Sequence, residues 1–379
     1  MWINVLFPFI TGISVAVGDR KVLRQGAVRI YDLSVAKTSP PRVYLYTTTW
    51  LGGQRQMNTI DTCSPYYINL KRTTFEQIAG FCACQGLFKC YDCPEPCQSI
   101  DHPISANFPD RRSVSIFRRS AELKFGGAKF RDIIFGLIYG FGEGAIVDPP
   151  VVLGLAPTNG EDEWYPSIMK QLTTSPSTPV KENVFALYLR PARSALKQVA
   201  ELLLGGGDAS LYKEPLQFVP VLRRTREEKA SWSVMLKAVQ IGVESKIDVN
   251  GAVVLDTGSD YISVSRYKIF KLFRSIEHEA SKAAGKEVSI SYNALRKAYQ
   301  VDCQYREHMP TLHFMLAGQS KDVPLSISFE SYVSEDVPRE FCSVLVRNIY
   351  FGSWRLSHSM LVGNYMEFRN ATVGIAKVK

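Results

Sequence analysis

Short runs that suit pleated strands, broken by glycine, proline and serine, dominate this chain, and helical spacing occurs in few places. Residues 43–70 read as strand, turn, strand: VYLYTTTW, the pair Gly52 and Gly53, then MNTIDTCSPYYINL, rich in tyrosine and threonine. Residues 113–125 (SVSIFRRSAELKF) alternate and predict a short hairpin turning at Arg118 and Arg119. Residues 130–147 are apolar but interrupted by charges and glycines, and predict strands rather than a membrane span. VFALYLRP at 184–191, FVPVLRR and WSVMLKAVQIGV extend the sheet toward residue 256, and further strands close the chain after 350. Helices are predicted over 164–172 and over 265–284. In the second, with Ser265 as N-cap, Tyr267, Ile269, Phe270, Leu272, Phe273 and Ile276 recur at helical spacing and read as core packing. The fold class is therefore mainly β with a few short helices.

One pattern occurs twice, about half a chain apart. VVLDTGSDYISV at 253–264 and NTIDTCSPYYIN at 58–69 each end an apolar strand at an aspartate and continue through threonine, a small residue and serine into a turn. Asp61 and Asp256 are thus lifted from equivalent strands, one in each of two related halves. Two carboxylates facing one water share a proton, because like charges at hydrogen-bond distance repel. The ionised one takes a proton from the water while the protonated one polarises a carbonyl.

At these residues the chain resembles the pepsin family of aspartic endopeptidases. That resemblance implies an all-β bilobal fold with a cleft between two lobes related by a pseudo-twofold axis. It implies peptide hydrolysis by Asp61 and Asp256 without a cofactor or metal, on a polypeptide substrate. Following the family, Thr62 and Thr257 lock the two loops together, Ser64 and Ser259 hydrogen-bond the outer carboxylate oxygens, and Gly258 permits the close approach that Cys63 alters in the other loop. VVLGLAP at 151–157 resembles the element that threads behind the first aspartate, with Gly154 at the close approach; ELLLGGGDASLY at 201–212 resembles another landmark. The WRLS run at 354–357 resembles the threading element of the second lobe, with Ser357 where glycine is expected. The hairpin read at 113–125 stands where the family has a longer, tyrosine-bearing flap, with Phe117 near its tip. In the family one disulfide commonly closes a loop in the second half, which implies Cys303 with Cys342. The alternative function is a catalytically silent protein of this fold that binds a polypeptide or carbohydrate through its cleft or its cysteine-rich loop.

Composition adds limits. The chain has 379 residues, 46% of them apolar, enough for two sizeable cores. Residues 1–18 carry no charge and read as a secretory signal, so the mature chain has no membrane span; 19–42 read as a short basic prosegment or N-terminal extension. The first lobe is drawn at 43–175, with a cysteine-rich insert at 82–97, and the second at 176–379. The Ser/Thr/Pro-rich run at 173–183 marks the boundary. Eight cysteines on a secretory route are read as disulfide partners rather than zinc ligands, apart from a free, inert Cys63 and one leftover thiol in the insert. Asn370 heads a glycosylation sequon. The net charge of +9, scattered apart from short runs at Arg118–Arg119 and Arg223–Arg226, is not a nucleic-acid signature. A monomer in the secretory pathway, secreted or in an acidic vacuolar or lysosomal compartment, is expected.

Overall fold

The computed structural model describes residues 16–17, 20–32, 42–81, 83–85, 89–108, 112–142, 145–146, 148–157, 165–176, 178–190, 197–222, 231–335, 340–349 and 352–379. The expected signal lies almost wholly outside these residues. So do Cys82, Trp164 and the arginines at 223, 224 and 226.

Strands build nearly everything, as alternating, turn-rich stretches must when each has one face to bury. One sheet of 14 strands runs from Tyr212–Pro220 through Thr372–Val378, Asn364–Arg369, Phe185–Leu189, Lys197–Leu204 and Leu23–Asp32 into the strands of the first lobe. A seven-stranded sheet holds Ser233–Ile241, Ser245–Leu255, Ile262–Ser265 and Trp354–Leu356, and a four-stranded sheet flanks it. This is the bilobal, mainly β pepsin-like fold. Leu23–Asp32, in the segment read as a prosegment or extension, pairs with Lys197–Leu204 on one side and Arg42–Leu51 on the other.

A continuous apolar core joins the lobes. Phe185 stacks on Phe368 with ring centres 4.6 Å apart, Trp232 packs edge-on against both, and its indole N–H donates to the Leu155 carbonyl at 2.8 Å. The second lobe is thereby pinned to the segment behind the first aspartate.

Several local expectations change. Ser113–Phe125 is one unbroken strand through Arg118 and Arg119, paired with Ala128–Phe141, and the turn falls at Gly126 and Gly127. The two arginines sit mid-strand because the neighbouring loop partners both: Arg118 pairs with Asp101, and Arg119 Nη1 donates to the Gln98 carbonyl at 2.8 Å. Phe117 is buried mid-strand beside Tyr139, not at a tip. A separate short hairpin forms where Ile104–Asn107 pairs with Ser113–Ile116, closed by the Phe108 amide on the Arg112 carbonyl at 2.9 Å. Helix Ile168–Thr174 is capped by Ser167, whose hydroxyl accepts the Lys170 amide. The long helix Arg266–Ala284 buries Ile269, Leu272, Phe273 and Ile276, but Tyr267 and Phe270 stand on its outer face and Ser265 makes no side-chain cap.

Cys84 bonds to Cys90, Cys93 to Cys97 and Cys303 to Cys342; among the described cysteines Cys63 alone is free. Asn370 is exposed in the turn between the last two strands. No helix among the described residues is long and apolar enough to cross a membrane, and no cluster there has the ligands for a metal ion.

Candidate active site

The strand Gln54–Asp61 ends at the first aspartate, and Ser245–Leu255 leads into the second. A short parallel strand runs beside each: Val152–Gly154 puts Val152 opposite Thr59 and Gly154 opposite Asp61, while Trp354–Leu356 puts Arg355 opposite Val254. Counting from each aspartate, Arg355 takes the place of Val152, and Ser357 that of Gly154.

The two loops meet through their threonines. Each backbone amide donates to the other threonine's hydroxyl, Thr62 to Thr257 and Thr257 to Thr62, both at 3.0 Å. Each hydroxyl then donates to a carbonyl of the opposite strand at 2.7 Å, Thr62 to Leu255 and Thr257 to Ile60. All four groups are buried, so every donor needs its partner and the loops have one mutual position. The approach is close enough that a Cβ on Gly258 would stand 2.5 Å from Asp61 Cγ.

Backbone amides orient both carboxylates. Asp61 Oδ1 accepts from Cys63 at 2.7 Å and Ser64 at 3.0 Å, and Asp256 Oδ1 accepts from Gly258 at 3.0 Å. The serine hydroxyls expected on the outer oxygens turn to their own loops instead: Ser64 Oγ accepts the Tyr66 amide at 3.2 Å, and Ser259 Oγ donates to the Tyr261 carbonyl at 3.0 Å. Such local side-chain turns satisfy the loop backbone.

Asp256 Oδ2 instead meets Arg355. Its Nη1 lies 2.6 Å from that oxygen and 3.0 Å from Cys63 Sγ. The residue that replaces the usual glycine in one loop and the cation beside the other loop thus touch each other. Burial opposes the guanidinium's charge, but Asp256 and Cys63 outweigh it and hold Arg355 charged. Burial, then the charge of Asp256, pushes Asp61 up to about 7 against the pull of the Cys63 and Ser64 amides and of Arg355. Burial, again helped by Asp256, pushes the Cys63 thiol up to about 12, so it is a neutral hydrogen-bond acceptor rather than a nucleophile.

Behind the loops the halves also differ. In the first, the amides of Leu155 and Ala156 donate to the carbonyls of Asp61 at 2.7 Å and Ser64 at 3.1 Å, and a Cβ at Gly154 would collide with the Ser64 carbonyl at 2.3 Å. In the second, the chain leaves that path at Ser357, whose hydroxyl accepts the Ser359 amide and meets Ser359 Oγ at 2.7 Å. The ring of His358 supplies the missing link, with Nδ1 2.9 Å from the Ser259 carbonyl. Burial holds this imidazole well below its ordinary pKa, with Arg29 adding to the effect and the Ser259 contact opposing it, so it is the neutral ring that donates.

A second charged group gathers around Asp148. Asp148 pairs with Arg42 at 2.8 Å and Arg112 at 2.7 Å. Desolvation and the charge of Asp148 push Asp260 up to about 7, against Arg42, Arg347 and Arg112.

The model for eukaryotic aspartyl proteases matches residues 110–378, well over half the chain. The chain belongs to this family. The matched region holds Asp256 and leaves Asp61 outside. Among curated relatives, canine cathepsin D is 27% identical over 239 residues, 62% of this chain and 48% of its own length. Vacuolar protease A of Arthroderma otae is 25% identical over 209 residues, 53% of this chain and 45% of its own. Cathepsin E-A of Xenopus laevis is 31% identical over 166 residues, 41% of this chain and 36% of its own. The chain thus spans about half the length of the first two of these relatives.

Arg355 and His358 are the site residues that sequence reasoning missed. The signal for Arg355 was present: a cation inside a short, otherwise apolar strand that must lie beside the second aspartate. His358 carried no such signal, because its contact arises only from the detour at Ser357.

Proposed function

We propose that this family member is an aspartic-type endopeptidase in which Asp61 is the protonated partner and Asp256 the ionised one. The observation that supports this most directly is the buried Asp61, raised to about 7 by burial and by the charge of Asp256, on a loop tied to its counterpart through Thr62 and Thr257. In this reading a water between the carboxylates loses a proton to Asp256 as it attacks a peptide carbonyl polarised by the Asp61 hydroxyl, and the roles reverse to protonate the leaving amine. Arg355 assigns the charge to Asp256 by bonding one of its oxygens, leaving the proton to Asp61. The substrate is a polypeptide, the compartment an acidic one on the secretory route, and Asn370 a glycosylation site. The test is cleavage of a denatured protein across acid pH, with inhibition by a statyl-type transition-state mimic and loss in Asp256→Asn. Full activity in that variant would remove the mechanism.

A second reading has its own observation. Arg355 Nη1 lies 2.6 Å from Asp256 Oδ2, so a guanidinium already engages the oxygen that would have to take up the proton of a water. A silent protein that binds a polypeptide or carbohydrate without cutting it would be built this way. Arg355→Leu separates the two: a rise in cleavage from background favours the silent reading, and a fall favours a working pair biased by Arg355.

A further inference from the structure

The outer face of the helix Arg266–Ala284 is unusual for a surface helix. Its inner face packs Ile269, Leu272, Phe273, Ile276 and Ala280 into the core. On the opposite side Tyr267 is 74% exposed and Phe270 72%, and Arg266, Lys271 and Arg274 are exposed beside them. At about 100° per residue these five positions fall within one stripe of the helix. A shallow depression beside the stripe is lined by Ser245, Phe270, Lys271, Arg274, Ser275 and His278. The turn that leads into Ser245 holds Val243 at 86% exposure.

The acids around this surface are already engaged. Glu244 is paired with Lys282 and lies 3.9 Å from His278. Glu279 accepts the amides of Glu244 and Ser245, both at 3.1 Å, and Glu277 accepts the Ile290 amide at 2.7 Å. Arg266 lies over the Tyr267 ring, and Lys268 donates to the Asp248 carbonyl. Glu277 falls on the same stripe but is turned to the Ile290 amide, so Lys271 and Arg274 face outward with no ion pair among the described residues, in a chain whose net charge is +9.

We propose that this face docks on an anionic lipid surface. Lys271, Arg274 and the hydroxyls of Ser245 and Ser275 receive a phosphate-bearing headgroup in the depression, while Phe270, Tyr267 and Val243 enter the boundary between headgroups and acyl chains. Charge complementarity supplies the attraction, and the aromatics decide the class of partner. A soluble polyanion matches the cations but leaves the large apolar groups in water, whereas a bilayer interface accepts both.

The experiment is vesicle flotation of the full chain with phosphatidylcholine alone and with phosphatidylcholine containing phosphatidylserine, alongside a heparin column. Binding is expected only to the anionic vesicles. It should fall roughly tenfold or more in the double variant Lys271→Glu, Arg274→Glu, as expected for cations that act within a Debye length of the bilayer. It should also fall severalfold in Phe270→Ser, which keeps every charge. Lys129→Glu, an exposed charge change on a strand of the other lobe, should leave binding unchanged, and circular dichroism checks that each variant is folded. Absence of vesicle binding overturns the proposal, as does binding that Phe270→Ser leaves intact. Heparin retention lost with the charge reversals, without any vesicle binding, assigns the face to a polyanion instead.

Discussion

The two aspartate loops start from the same local sequence and depart from each other in complementary places. In the first lobe the backbone behind the loop keeps its direct path past Gly154, and the departure lies in the loop itself, at Cys63. In the second lobe the loop keeps Gly258, and the departures lie behind it, at Arg355 and Ser357. Arg355 and Cys63 then meet at 3.0 Å. A side chain added to one loop is thus met by a donor from behind the other, at a half-buried sulfur beside two carboxylates. Pseudosymmetric halves can therefore lose symmetry together without losing the threonine lock between them. It is the contact across the axis, not the fidelity of either copy, that keeps the loops in place.

The largest effect expected from breaking this pairing is on chemistry. Under the proposed mechanism Asp256→Asn removes the general base, and acid peptide cleavage should drop by about 10²–10⁴-fold; initial rates on a denatured protein measure it. Next is Arg355→Leu, which leaves Asp256 buried without its cation. Removing one member of a buried pair costs about 3–5 kcal/mol, and with 19% of the Arg355 side chain exposed the lower end of that range is expected from denaturant titration at neutral pH. Gly258→Ala tests the close approach directly. Its Cβ would meet Asp61, so a loss of about 1–3 kcal/mol is expected, together with a fall in activity. By contrast Cys63→Gly, at the matching position, should change stability by less than about 1 kcal/mol. If the two substitutions cost the same, the close approach at Gly258 is not what sets the two loops apart.

A smaller, pH-dependent effect sharpens the same contrast. Asp61 rises from 3.8 to about 7 on folding, so between those values the folded state keeps a proton that the unfolded state has released. Its contribution to stability is complete below about pH 4 and is lost as pH climbs through 7. His358 acts in the opposite direction: its folded pKa is depressed, so its contribution is present above about 6.5 and is lost as pH falls. Asp61→Asn should flatten the decline toward pH 7, and His358→Gln the decline toward acid, in melting temperatures taken across that range. A melting curve unchanged in slope by Asp61→Asn would show that the carboxyl is not buried against Asp256.

Much of this was legible beforehand. The duplicated strand-to-turn pattern marked Asp61 and Asp256, and the alternating runs marked a β protein, because both signals are local and repeat. The turn between Ser113 and Phe141 falls at Gly126 and Gly127 and not at the arginines, because two adjacent arginines resemble a turn only when their partners, Asp101 and the Gln98 carbonyl, are left out of view. Helical spacing places Tyr267 and Phe270 with the core residues, because it defines a stripe but not which side meets the sheet.

By itself the sequence determined the fold class, the two aspartates and the threonines that accompany them, since each depends on residue type and spacing within about a dozen positions. Only the tertiary structure decided what surrounds those aspartates. Arg355 lies 99 positions from Asp256 and 292 from Cys63, and no local rule ties a cation on one short strand to an oxygen and a sulfur on two others. Burial brings them within hydrogen-bond distance, and in a site shielded from water such contacts weigh most.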